Sequence, residues 1–498
     1  MTNCREYGRN MPNSYQPKPG DKVFHPRRIK HYRLRRILGI PALFSAGYGD
    51  VGSSIYYALG IVALVALGAT PIVLMIAGVI YIFNALTYAE GSASIPEAGG
   101  SASFARHGFN DLIGLIAGWA LMLSYIVTMA ISAYTIPPYL SYFWPILRDP
   151  VIGTLVSMGI IAFLMVINVL GVRESSRVNI LFIVIDIATQ ITLVVLGIIL
   201  ILAVNPAVLL QNMFGAGNWP STSNLIFGIA IAALCFTGVE TVSQLAEETK
   251  EPAKKIPQAY VLMIIAVLVL FAGISIVALS AMTPQILGDP VNGWARDPVA
   301  GIAANLPSEI LQDIFAPLVA LLAASILLTA SNAGLMGISR LAFNLSSHHQ
   351  LPATLSRVHH RFRTPYIAII LFCFISLLVL APGFFATNFF ADLGALYVFG
   401  SLLCFALAHA AVLSLRIRKP ELERPFKLRW NIRIKGRELP MTAILGLIAT
   451  STIWLIVVIT QPYSRWAGLI WMAIGLIVYA IYRWQARLPL THAPKRPG

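Results

Sequence analysis

The chain has 498 residues, 57% hydrophobic and 11% charged, with a formal net charge of +15 and a mean hydropathy of +0.75. Such proportions exclude a soluble globular domain and leave a polytopic membrane protein. The positive charge does not indicate nucleic acid, because Lys and Arg sort by connecting segment along the chain.

Residues 1–36 form a polar tail whose Arg27, Arg28, Lys30, Arg33, Arg35 and Arg36 precede the first apolar run. It lacks an apolar core before a cleavage site, so it reads as a juxtamembrane anchor at anionic membrane lipid and not as a removable signal. Apolar runs near the roughly 20 residues that cross about 30 Å of hydrocarbon then recur along the chain. Twelve are predicted, at 37–66, 70–90, 112–143, 152–171, 178–203, 224–246, 259–282, 315–341, 366–382, 388–415, 441–461 and 466–485. Nothing alternates with a period of two, so the fold class is all-α, with about 12 transmembrane helices and no barrel. Of the 36 Lys and Arg, 33 lie in or beside the two tails and the even-numbered connections, leaving Arg148, Arg296 and Arg465 elsewhere. By the positive-inside rule both termini are cytoplasmic, the second tail being 486–498.

The first run places Gly47, Gly49 and Gly52 around Asp50, in a stretch otherwise apolar enough to span. Glycine weakens a helix and an intramembrane carboxylate is costly, so a broken helix lining a site is expected here. The third run sets Tyr125, Thr128 and Ser132 on one face, rich in oxygen. In the fifth, Asp186 precedes Thr189 and Gln190 by one helical turn, which suggests a face toward water, a bound cation or a proton. The sixth run repeats a glycine beside an acid, Gly238 and Glu240, five spans after the first. Helix packing would account for the glycines but leaves Asp50 and Glu240 unexplained. Interrupted helices at matching places in two five-helix halves are the mark of an inverted repeat with substrate held where the half-helices meet. The halves are 37–203 and 224–415, followed by two further helices within 441–485. Amides freed at such breaks suit an anion and freed carbonyls a cation, so a zwitterion satisfies both.

Cys235, Cys373 and Cys404 fall in apolar runs and Cys4 in the tail, without metal-ligand spacing. Glu247, Glu248 and Glu251 sit among Lys250, Lys254 and Lys255 and read as loop-ordering and gating salt bridges. No catalytic motif, metal site or cofactor is indicated, so the chain reads as a non-enzyme.

Three segments carry a resemblance: Val51-Gly52-Ser53-Ser54-Ile55-Tyr56; Tyr88-Ala89-Glu90 with Pro96-Glu97-Ala98-Gly99-Gly100; and Gly238-Val239-Glu240 followed by Glu247-Glu248-Thr249-Lys250-Glu251-Pro252. With Ser339-Arg340, Thr364-Pro365 and Arg424-Pro425-Phe426, they resemble the amino acid–polyamine–organocation permeases, in order across roughly 37–430. The resemblance implies a LeuT-type core of five plus five helices and secondary active transport of an amino acid coupled to H+ or Na+. It also implies that the amides of Gly52, Ser53 and Ser54 receive a substrate carboxylate, that carbonyls near Ala46, Gly47 and Phe236 face its ammonium, and that Phe236 is an aromatic gate. Gly49-Asp50-Val51-Gly52-Ser53-Ser54 with Tyr57, and Thr237-Gly238-Val239-Glu240, are instead similar to the Kup and Kim potassium permeases, so K+ stands as the alternative substrate. Ser124 stands where that branch carries a second acid. Coupling-ion candidates are Asp50, Asp186, Ser325, Thr329 and Asn332. A non-transporting sensor on the same fold is a third reading.

Overall fold

The structure, a computed structural model, describes residues 36–171, 176–202, 204–386, 389–434 and 436–491. Cys4 and all the tail's basic residues except Arg36 lie outside them.

Helix α1 (Ile40–Ser53) starts on Pro41, whose missing N–H costs nothing at a helix start, and α2 (Ile55–Ala66) continues it. Leu67 then takes φ +47°, a conformation that ends the helix, before α3 (Thr70–Ser94). A short α4 (Ser101–Gly108) precedes α5 (Asp111–Leu140), capped by Asn110, which accepts from the Ile113 amide at 3.0 Å. Asp149 caps α6 (Pro150–Val169) through the Val151 and Ile152 amides, and α7 (Ser176–Gly197) runs into a wider turn at Ile198–Leu202. After α8 (Pro206–Phe214) come α9 (Thr222–Ala232), a single-turn α10 (Thr241–Gln244) and α11 (Pro252–Ala281). Short α12 (Pro284–Gly288) and α13 (Pro298–Ala304) lead to the longest helix, α14 (Glu309–Ser347), then α15 (Tyr366–Leu380) and α16 (Phe389–Arg418). A hairpin of β1 (Asn431–Ile434) and β2 (Arg437–Pro440), with Ile432 opposite Leu439, precedes α17 (Met441–Thr460) and α18 (Pro462–Gln485).

Among the described residues, eleven stretches are long and apolar enough to cross a membrane. The first, Ile40–Ser94, has 55 residues, more than twice what one crossing takes, and divides at Leu67, so it holds two of twelve crossings. Among the described residues the fold is all-α apart from one hairpin.

Helix α5 is the axis of the core, buried along nearly all its length. Small residues let its neighbours close on it: a Cβ on Gly400 of α16 would stand 2.9 Å from the Ala120 carbonyl oxygen. At its start, Trp119 and Trp471 of α18 stack at 4.7 Å, and each indole N–H donates to the other residue's carbonyl, at 2.7 and 2.8 Å. Arg483 adds an ion pair to Asp111 at 3.2 Å.

Candidate functional site

The two interruptions expected from the glycines differ in kind. Between α1 and α2 the interruption is a single residue: Ser54 keeps helical dihedrals (φ −66°, ψ −25°) and its amide donates to the Val51 carbonyl at 3.1 Å. Gly47, Gly49 and Gly52 remain inside α1, so the unwinding is narrower than their number suggests. Two of them serve close approach: a Cβ would lie 2.5 Å from Met263 Sδ at Gly47 and 2.7 Å from the Tyr48 ring at Gly52. The Ser54 hydroxyl, 2.5 Å from both the Val51 and Cys235 carbonyls, ties this joint to the other interruption. Ser53 donates to the Asp50 carbonyl at 2.7 Å. In this conformation the Gly52 and Ser53 amides lie within α1 and the Ser54 amide is bonded, so none waits open for a carboxylate.

The second interruption is complete. Beyond α9 the chain tightens through Ala233–Phe236, becomes extended at Thr237, and turns at Gly238 with φ +99°, which side chains other than glycine resist. Asp50 fills the space against that turn: a Cβ on Gly238 would stand 2.7 Å from Asp50 Cγ and 3.0 Å from the Val51 amide nitrogen. Thr241 donates to Asp50 Oδ2, while Glu240 folds back to accept from the Gly238 amide at 3.2 Å. Ser124 of α5 reaches Glu240 Oε1 at 3.5 Å. Two carboxyl groups, each at most 2% exposed, thus meet around one glycine. Asp50 Oδ1 and the Tyr125 hydroxyl are buried there without hydrogen-bond partners among the described residues. Tyr57 is buried on α2; Thr128 and Thr237 donate to the Ser124 and Leu234 carbonyls at 3.0 and 2.8 Å. Ala46 is half-buried on α1. Phe236 packs elsewhere, its ring 5.3 Å from Tyr81 and 5.4 Å from Phe271, between α3 and α11.

Asp186 forms a second buried polar cluster. It accepts from the Tyr56 hydroxyl and, at 2.7 Å, from Gln190. Tyr56 opens α2 just past Ser54, and Tyr139 of α5 donates to its carbonyl at 2.8 Å. The Val299 amide donates to that Tyr139 hydroxyl at 3.4 Å, beside an Asp297–Arg148 ion pair of 3.0 Å. Burial pushes the Asp297 carboxyl up to about 6 although the Arg148 charge opposes it. The α14 candidates are engaged elsewhere: Ser325 and Thr329 donate to their own helix, and Asn332 accepts from Asn168 of α6 at 2.6 Å. Sequence reasoning singled out neither Tyr56 as Asp186's partner nor Thr241 as Asp50's; a hydroxyl next to each interruption is the signal that was available.

Both ends of the site are closed. On the side of the basic loops, the Ile37 and Leu38 amides donate to the Glu248 carbonyl at 2.8 and 3.0 Å, and Glu248 pairs with Arg340 at 3.1 Å. Glu247 caps the Ala98 amide at 3.1 Å, and Glu97 holds Arg106 and His107 at 2.7 and 2.9 Å. At the other end the loop before α13 lies against α2, where a Cβ on Gly60 would overlap the Ala295 carbonyl. Among the described residues, no group of His, Cys, Asp and Glu is placed to hold a metal ion.

The amino acid permease family profile matches residues 38–480. The chain is 28% identical to the branched-chain amino acid permease BcaP of Bacillus subtilis, covering 90% of this chain and 93% of that one. It is 26% identical to the methylthioribose transporter of the same organism, over 95% and 98%, and 25% identical to its glutamate/serine transporter AimA, over 91% and 83%. A match spanning nearly all twelve crossings, together with the paired interruptions, has one meaning: the chain belongs to the amino acid permease family, within the amino acid–polyamine–organocation superfamily of membrane transporters.

Proposed function

We propose that this permease imports an amino acid by alternating access, coupled to a proton or a cation, with both termini cytoplasmic in the plasma membrane or a bacterial inner membrane. The two five-helix halves, 37–203 and 224–415, are read as inverted repeats meeting at Asp50 and Gly238. The seating of Asp50 against the unwound Gly238 turn carries this reading, since it joins two segments 188 residues apart at one buried point. A buried carboxylate without a cationic partner is expensive in a membrane, so Asp50 and Glu240 are suited to a substrate ammonium, a proton or a metal cation. Opening of the Ser54 joint would free the neighbouring amides for the substrate carboxylate. No Lys or Arg pairs with either acid among the described residues, which favours a neutral amino acid over an acidic one. BcaP, named for branched-chain amino acids, supports the same direction. Closure at both ends is consistent with an occluded conformer.

Asp186 is the second candidate for the coupling ion. It is bound through Tyr56 to the start of α2, so a change of charge there would bear on the Ser54 joint.

The test is uptake into liposomes of purified protein, with labelled branched-chain amino acids and rubidium offered under proton and sodium gradients. Amino acid uptake in the wild type and its loss, by roughly tenfold or more, in Asp50→Asn are the expected results. Gly52→Val should also abolish uptake while leaving insertion intact. Rubidium flux without amino acid flux would establish the potassium reading, and binding without any flux the sensor.

A further inference from the structure

An open groove of about 750 Å3 lies on the side of the basic loops, between the first turn of α1, the first third of α11 and the segment after α16. Its walls are apolar, from Ile40, Pro257, Val261, Leu262 and Phe426, and Lys254 stands at its rim. The volume falls within the roughly 300–1,000 Å3 typical of small-molecule sites.

We propose that this groove binds one anionic phospholipid, its acyl chain along α11 and its phosphate on Lys254. Three observations select that occupant. First, the groove continues the lipid-facing stripe of α11: Val261, Leu262, Ile265 and Val269 are 43%, 47%, 58% and 65% exposed on a helix that crosses the membrane. An acyl chain reaches it laterally. Second, the charge is right. Lys254 is exposed and makes no ion pair among the described residues, whereas Glu251 beside it is taken by Lys255 at 3.4 Å. The bridge between Leu38 and Thr249 brings Arg36 and Lys250 to the same end, so the rim attracts a phosphodiester at the headgroup level. Third, the same charge disfavours the rival occupant within the chain, because residues 1–36 carry ten Lys and Arg and no more than two acids. Such a segment has the same sign of charge as Lys254 and offers it no complement.

Occupancy has a mechanical consequence that rests on the alternating-access reading. Ile40 opens α1, which packs on α11 so closely that a Cβ at Gly47 would overlap Met263. Phe426 belongs to a segment fastened to the core, where Arg424 donates to the Leu415 and Lys419 carbonyls at 3.0 and 2.9 Å. A lipid between them ties the start of α1 to the fixed part of the molecule and so sets how readily α1 moves.

The test uses the full-length protein reconstituted with phosphatidylcholine alone or mixed with phosphatidylglycerol, then extracted gently and weighed by native mass spectrometry. One retained phosphatidylglycerol per protein is expected, with phosphatidylcholine not retained. Lys254→Gln, an exposed change that leaves the fold intact, should weaken retention about fivefold. Leu262→Trp, which fills the groove, should abolish it, and Arg357→Gln on another exposed basic loop should leave it unchanged. Equal retention in wild type, Lys254→Gln and Leu262→Trp would overturn the proposal, as would equal retention of the neutral lipid. Cross-links from Lys254 to Lys18 or Lys22, with no retained lipid, would assign the groove to the tail and overturn it too. Retention is read without flux, so its failure leaves the transport reading untouched.

Discussion

The Ser54 joint and the Gly238 turn each interrupt a helix beside a buried acid, yet they are built differently. At Ser54 the backbone stays helical and a side-chain hydroxyl reaches across to the Cys235 carbonyl. At Gly238 the backbone leaves the helical region altogether and a carboxyl from the first half packs into the gap. Opening the Ser54 joint costs that hydroxyl bridge and the bond from its amide to Val51, whereas the Gly238 turn is already unwound in a conformation that other residues resist. On the proposed alternating-access reading, motion would fall to α1 and α2 and the static half of the site to the chain around Gly238.

The sharpest way to break that assignment is Gly238→Ala. Backbone strain of about 1–3 kcal/mol, added to overlap with Asp50, should eliminate uptake and lower thermal stability of the purified protein. A variant that transports normally would mean the turn is not the seat of Asp50. Next in size, Thr241→Val strips the hydrogen bond from Asp50 Oδ2 and leaves that carboxylate without a side-chain donor, at about 1–3 kcal/mol. Uptake should fall strongly, and Thr241→Ser should restore it. Ser54→Ala loses only the hydroxyl bridge, about 1 kcal/mol, and should change the rate of transport more than substrate affinity. If it proves more damaging than Gly238→Ala, the roles of the two interruptions are reversed.

The smallest effect concerns the closed basic face. Burial raises the Glu97 carboxyl, but the His107 hydrogen bond and the Arg106 charge outweigh it and hold the group well below its ordinary 4.5. The stability this contributes is complete above that value and fades as pH falls below it. Glu97→Gln should flatten the acid limb of a thermal-stability profile measured from pH 3 to 7.

The spans were legible because they depend on local composition alone: predicted 152–171 and 366–382 meet helices Pro150–Val169 and Tyr366–Leu380 within two residues at each end. The Gly238 break was legible for the same reason, a glycine beside an acid in an apolar run. The extent of the first break was not. Gly47 lets Met263 of α11 approach and Gly52 lets the Tyr48 ring lie along its own helix, demands of packing that look in sequence like a demand for unwinding. Partners across the fold were also hidden: Asn332 turns to Asn168 on α6, and Phe236 turns to Tyr81 and Phe271, because helix rotation decides which face a side chain takes. Ser124, noted for the acid it lacks, turned out to be where α5 reaches Glu240.

The paired indoles of Trp119 and Trp471 bear on biosynthesis. Residue 471 leaves the ribosome some 350 residues after its partner, so α5 is made, inserted and surrounded while one of its polar groups still lacks its mate. A nascent chain cut short before α18 would leave that indole N–H and Asp111 without these partners together, so α18 completes the polar contacts of α5.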